Sequence, residues 1–232
     1  MLKVENLVSG YGDLKIIKNI NFEVNDKETV LVLGLNGAGK TTLLKTISGF
    51  VKIFSGKIFF DGKDLSRFDA YKRAKYGITM IMESAIFPDL KVKENLEIAF
   101  SKTKESNFNQ ELNEVLKIFP ELKQFLNFKA QALSGGQRKM LSIAMSILSK
   151  PKLLILDEPS AGLSPIMVSR VIKYISMLKD KGMTMLIAEQ NPSFMPIAEQ
   201  VMIIDSGQLK LSGKPDEILK NAEVRKTFFQ VT

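Results

Sequence analysis

The residues from Gly34 to Thr42, Gly-Leu-Asn-Gly-Ala-Gly-Lys-Thr-Thr, fit the spacing G-x-x-x-x-G-K-[ST]. Glycines at Gly34, Gly37 and Gly39 let the backbone curl, so that successive N–H groups from Asn36 through Gly39, including Ala38, turn into one hollow. A helix beginning at Lys40 adds the positive end of its dipole to that hollow. Lys40 reaches the β- and γ-phosphate positions, the Thr41 hydroxyl is a ligand for Mg²⁺, and Thr42 closes the loop. This is chemistry for a polyphosphate.

A second constellation is Leu153-Leu154-Ile155-Leu156-Asp157-Glu158-Pro159, an apolar run that ends in two acids. Acids at the C-terminal end of a parallel strand face the ligand crevice of an α/β sheet. Asp157 is placed to hold Mg²⁺ through its water shell, because that ion keeps several waters and takes few carboxylates. Glu158 is placed to polarise an attacking water. Beside a phosphate loop, the pair reads as hydrolysis of a nucleoside triphosphate.

A third is Leu133-Ser134-Gly135-Gly136-Gln137, followed by Arg138–Ser149 with Met140, Ala144 and Ile147 at helical spacing. Ser134 and the two glycines therefore cap a helix, which makes a second anion-binding N-terminus. One chain thus carries two phosphate-binding helix starts, far apart in sequence. The economical arrangement is one ATP held between the phosphate loop of one chain and Ser134, Gly135, Gly136 and Gln137 of another.

The elements that position these groups follow from hydrophobic period. Leu2–Leu7 and Ile20–Val24 alternate as half-buried strands, and Thr29–Leu33 is a continuous β-branched and Leu run of the kind buried on both faces of a parallel sheet. Lys40–Ser48 reads as a helix closed by Gly49, and Lys57–Phe60 as a strand entering an Asp61-Gly62 turn. From about 83 to 136, Lys, Glu and Asn increase and helical spacing dominates (Leu96, Ala99; Leu112, Val115, Leu116, Phe119). Strands return at Leu153–Leu156, Thr184–Ala188 and Val201–Ile204, separated by helical patterns at 165–179 and 192–198. Alternation of this kind implies a parallel α/β core. Met80, Met82, Met183 and Met185 read as core packing.

Composition narrows the chemistry. The 232 residues include no Cys and no His, so thiolate chemistry and an imidazole base are both excluded. Catalysis must run on carboxylates, Lys, hydroxyls, amides and an ion brought with the substrate. The formal net charge of +8 lacks any block of five like charges or aromatic–basic interleaving, so it reads as a Lys-rich solvated surface rather than a nucleic-acid face. No apolar stretch approaches the ~18–20 residues that span a bilayer, and Met1–Asn6 has no cleavable signal pattern. The expectation is a soluble, cytoplasmic protein.

In their order and over essentially the whole chain, these motifs resemble the nucleotide-binding subunits of ABC transporters. The resemblance implies a P-loop NTPase (RecA-like) fold with a parallel-sheet core, an N-terminal antiparallel β subdomain and an inserted α-helical subdomain. The ATP-binding core would be 1–82 and 137–232, and the helical signature subdomain 83–136. It also implies that Tyr11 stacks on adenine and that two such subunits close head-to-tail around two ATPs. A groove near 83–100 would receive a helix from a membrane-spanning permease subunit, at the inner face of the membrane.

Three positions depart from that family's usual pattern. Glu83 stands where Gln is usual and would ligate Mg²⁺; Gln190 stands where His is usual and would donate its amide to the γ-phosphate. Ser164 stands where Asp is usual. Together with Ile86–Leu96 and the tail Glu223-Val224-Arg225-Lys226, they resemble the second ATPase subunit of branched-chain amino-acid importers and their urea or amide relatives. A solute-binding protein is the implied indirect partner. A lipid or drug exporter ATPase, or a soluble assembly ATPase of the same class, are the alternatives.

Overall fold

The computed structural model describes residues 1–81, 86–100 and 107–229. The chain opens with β1 (Leu2–Tyr11) and β2 (Leu14–Val24), an antiparallel hairpin turned at Gly12-Asp13 with Tyr11 opposite Leu14. β3 (Thr29–Leu33) runs into the phosphate loop and then α1 (Lys40–Ile47). β4 (Lys52–Phe60) and the two-residue β5 (Lys63–Asp64) extend the hairpin into a four-stranded antiparallel sheet, order β2-β1-β4-β5. This is the expected N-terminal β layer.

Next come α2 (Ala70–Lys75), β6 (Ile78–Ile81), α3 (Val92–Phe100), α4 (Phe108–Ile118) and α5 (Gly135–Leu148). The chain continues through β7 (Leu153–Asp157), α6 (Pro165–Asp180), β8 (Thr184–Glu189), β9 (Gln200–Asp205), β10 (Gln208–Gly213) and α7 (Pro215–Lys220). The second sheet has the order β10-β9-β3-β8-β7-β6; β10 pairs antiparallel with β9 and the other neighbours are parallel. The 192–198 pattern resolves as a 3₁₀ helix, Pro192–Ile197.

Every residue of β3 is buried, as its unbroken apolar run predicts. Alternate residues feed two core layers. Leu31, Leu33, Leu154, Leu156, Met185 and Ile187 pack on the side of α3, α4, α5 and α6. Val30, Val32, Leu153, Ile155, Leu186 and Ala188 pack with α1 and the antiparallel sheet on the other. The two-faced burial fixes strand register, since a slip by one residue would exchange the faces. Met185 is in the core, and Met80 and Met183 pack against it; Met82 lies outside the described residues.

One buried charge secures α1 from behind. Arg73 on α2 is 1% exposed, and its guanidinium donates to Thr46 O and Ile47 O (both 2.7 Å) at the C-terminal end of α1. Further bonds reach Phe68 O (2.9 Å) and Ser66 O (3.4 Å). A cation on the last carbonyls of a helix satisfies orphan acceptors and complements the dipole. Among the described residues, no helix is long and apolar enough to cross a membrane.

Candidate active site

The sheet delivers three strand ends to one edge. β3 ends at the phosphate loop, β7 at Asp157 and Glu158, and β8, which lies between them, at Glu189 and Gln190. The ladder aligns Leu33 with Glu189 and Asp157 with Ala188. Glu158 N donates to Ala188 O (2.9 Å), and Gly34 N to Glu189 O (3.3 Å). The loop and both acids predicted from sequence therefore converge.

The phosphate loop is braced from two sides. Gly39, with φ of 104°, is the N-terminal cap residue of α1, a conformation that glycine adopts without strain. Against it pack Ile16 and Ile17 of β2 and the turn at Gly207. Gly207 N donates to Ala38 O (2.9 Å), and Lys18 N to Gly207 O (2.8 Å). A Cβ at Gly207 would fall 1.6 Å from Ile16 O, so only glycine fits between loop and hairpin. The spacing argument missed Gly207, although Asp205-Ser206-Gly207 between two strands carries an ordinary turn signal. Tyr11 stands where that bracing hairpin turns, half exposed and open to a stacking partner.

Within the loop, the Lys40 side chain is buried. Its ammonium donates to Gly34 O (2.8 Å) and Leu35 O (3.1 Å) and pairs with Glu158 Oε1 at 3.1 Å. Glu158 occupies the left-handed region, φ 46°, uncommon for a residue with a Cβ. Thr41 Oγ1 donates to Asp157 Oδ1 (3.0 Å). Burial pushes the Asp157 carboxyl above its usual range; the Thr41 hydroxyl pulls against that, and the neighbouring Glu158 charge adds to it. Two hard oxygens side by side suit Mg²⁺, which takes few protein ligands. Glu83, the third expected magnesium ligand, lies outside the described residues.

Gln190 follows β8 directly and is exposed. Its turn is anchored on both flanks. Asn191 Oδ1 accepts from Ser193 N (3.0 Å) and caps the 3₁₀ helix, while Glu189 Oε2 accepts from Gln190 N and Asn191 N. Sequence reasoning passed over Glu189.

Ser134 caps α5 as predicted, in a reciprocal box. Its Oγ accepts from Gln137 N (3.4 Å), and Gln137 Oε1 accepts from Ser134 N (2.8 Å). A Cβ at Gly136 would meet Met167 of α6, whereas one at Gly135 would meet nothing within 4 Å. Ser134 and Gly135 are exposed, so the first residues of this helix start face outward.

Residues 17–161 match the family model described as "ABC transporter", a span that contains the phosphate loop, the α5 start and both acids. The chain is an ABC transporter ATPase. It is 32% identical over 230 residues to the high-affinity branched-chain amino acid transport ATP-binding protein BraG of Pseudomonas aeruginosa, covering 98% of this chain and 99% of the relative. It is also 33% identical to the lipopolysaccharide export system ATP-binding protein LptB of Haemophilus influenzae, covering 98% and 96%. An ATP-binding cassette of an ABC transporter solved in its ADP conformation superposes with a TM-score of 0.83 at 27% identity, over 100% of this chain and 99% of that one. As an ABC ATPase, the chain binds ATP and hydrolyses it, and the P-loop NTPase fold expected from sequence is the one observed.

Proposed function

We propose that this ABC ATPase energises branched-chain amino-acid uptake, acting as a dimer against permease subunits at the cytoplasmic face of the membrane. By identity BraG (32%) and LptB (33%) are nearly the same distance from this chain. The residue that tips the reading is Gln190, in the place where the family usually carries His, a substitution that resembles the importer branch. The LptB similarity favours lipid export as a second reading.

The roles are those expected from the sequence and the family, and the convergence of the phosphate loop with Asp157 and Glu158 supports them. Lys40 and the N–H groups of Asn36, Gly37, Ala38, Gly39, Lys40, Thr41 and Thr42 would hold the phosphates, with Gly34 opening the loop and Tyr11 stacking on the base. Thr41 and Asp157, with Glu83, would hold Mg²⁺, which when bound neutralises charge on the transferring phosphoryl group. Glu158 accepts a proton from the attacking water, and Gln190 donates its amide N–H to the γ-phosphate without any proton to give up. Ser134, Gly135, Gly136 and Gln137 contact the nucleotide of the partner subunit, a reading that the outward exposure of Ser134 and Gly135 supports.

Residues 83–136 form the helical signature subdomain, and 1–82 with 137–232 the ATP-binding core. In the permease-facing segment, Asn95 is fully buried and fixes residues 87–91. Its Oδ1 accepts from Phe87 N (2.7 Å), and its Nδ2 donates to Phe87 O and Lys91 O (both 3.0 Å). Phe87 and Ile98 remain exposed there for an incoming helix.

Reconstitution with the permease subunits and solute-binding protein of a branched-chain amino-acid importer from the same organism tests the reading. Labelled leucine uptake that requires ATP is the expected result. ATP-driven lipid extraction without leucine uptake would replace it with the second reading.

A further inference from the structure

Glu189 ends an apolar strand, yet its side chain is only 2% exposed. A buried carboxylate needs compensation. What meets it is a set of backbone N–H groups from two loops. Ser160 N donates to Oε1 at 2.8 Å, while Gln190 N (3.1 Å) and Asn191 N (3.2 Å) donate to Oε2. Its own carbonyl accepts from Gly34 N, the first residue of the phosphate loop. Burial raises the carboxyl above its usual range, and the Ser160 side chain, then these N–H donors, oppose the shift. One residue thus touches the phosphate loop, the segment after Glu158 and the turn that carries Gln190.

We propose that Glu189 is a positioning residue for ATP hydrolysis, its carboxylate tying the segment after Glu158 to the Gln190 turn so that the two catalytic groups hold one mutual geometry. The inference rests on the reading of Glu158 and Gln190 given above. The carboxylate is suited to the task because both of its oxygens accept. A glutamine has one carbonyl oxygen and one NH₂. Whichever way it flips, the NH₂ meets an N–H donor, at Ser160 or at Gln190 and Asn191, and one half of the tie opens. A small displacement of a catalytic group is enough to slow chemistry by about 100-fold. The phosphate loop keeps its own bracing at Ile16, Ile17 and Gly207, so nucleotide affinity is spared.

The test is steady-state ATPase and nucleotide affinity for Glu189→Gln, Gln190→Ala and the double variant, with amide hydrogen exchange on the wild-type chain. Glu189→Gln should lower kcat by about 10–100-fold and leave ATP affinity within about threefold. The double variant should be faster than the product of the two single effects, because both act through one turn. In the wild type, the amides of Ser160, Gln190 and Asn191 should be protected together, a measurement that stands even if Glu189→Gln does not fold.

Wild-type kcat in Glu189→Gln beside a slow Gln190→Ala would overturn the inference alone. So would strictly multiplicative effects, or free exchange at those amides. Wild-type kcat in Gln190→Ala would overturn the role given to Gln190, and the inference with it.

Discussion

The Lys40 ammonium sits 3.1 Å from Glu158 Oε1, so the residue expected to hold phosphate and the one expected to activate water are ion-paired to each other. Lys40 is buried and is also bound to Gly34 O and Leu35 O. A phosphate that takes Lys40 competes with Glu158 for it. Once displaced, Glu158 is free to accept from water, which would link activation of the base to arrival of the nucleotide.

The two residues should therefore have opposite effects on affinity. Lys40→Ala removes a charge-assisted bond and should weaken ATP binding by about 10–100-fold. Glu158→Gln removes a competitor and a like charge, and should tighten binding by roughly 3–10-fold, as expected for a partly exposed charge at short range. Calorimetric titration of both variants checks the pair; weaker binding by Glu158→Gln would refute the competition.

Asp157 predicts a pH dependence for magnesium. Burial raises its carboxyl, so the proton stays on to higher pH than on an exposed aspartate, and a protonated carboxyl does not hold a hard cation. As pH falls, the Mg²⁺ concentration for half-maximal ATPase should begin to rise while the medium is still above the ordinary aspartate pKa of about 3.9. The measurement is a Mg²⁺ titration across pH, corrected for nucleotide ionisation. Asp157→Asn should need more Mg²⁺ and lose this component of the pH slope.

Arg73 is a stability prediction. Arg73→Met would leave up to four carbonyls without their donor, two of them at the end of α1. The cost should be about 2–4 kcal/mol, read as a fall of roughly 5–10 °C in Tm for a chain of this size. Arg73→Lys should recover little, since an ammonium cannot span the same acceptors. Burial lowers the guanidinium pKa to about 10, so it remains charged at neutral pH.

Ser134→Arg separates action within one chain from action on a partner. The variant should bind ATP as a monomer with near wild-type affinity and lose hydrolysis, by filling the place of a partner's γ-phosphate. Equilibrium nucleotide binding checks it; loss of binding by the monomer would mean that the α5 start serves its own phosphate loop.

Most of the site was legible because its chemistry is written in consecutive residues. Gly34–Thr42, Ser134–Gln137 and Asp157-Glu158 each carry their spacing locally, and the unbroken apolar runs of β3 and β7 announce strands covered on both faces. β6 did not stand out, because Ile78-Thr79-Met80-Ile81 is short and only its ends are buried. β10 alternates but is largely exposed. Glu189 and Gly207 were illegible for another reason. What they do depends on N–H groups and carbonyls brought from distant segments, such as Ser160 and Ile16, and no local spacing encodes those contacts. A buried acid closing the apolar run Leu186-Ile187-Ala188 was the available signal.

The central claim is that Lys40, Asp157 and Glu158 form an ATP site completed by Ser134 of a second copy. Light scattering on Glu158→Gln with excess MgATP tests it most directly. The account predicts a particle of twice the 26.0 kDa chain mass, with hydrolysis slowed by at least about 100-fold, and a return to monomer when Ser134→Arg is added. A Glu158→Gln protein that stays monomeric with ATP bound, or that turns over at the wild-type rate, would contradict it.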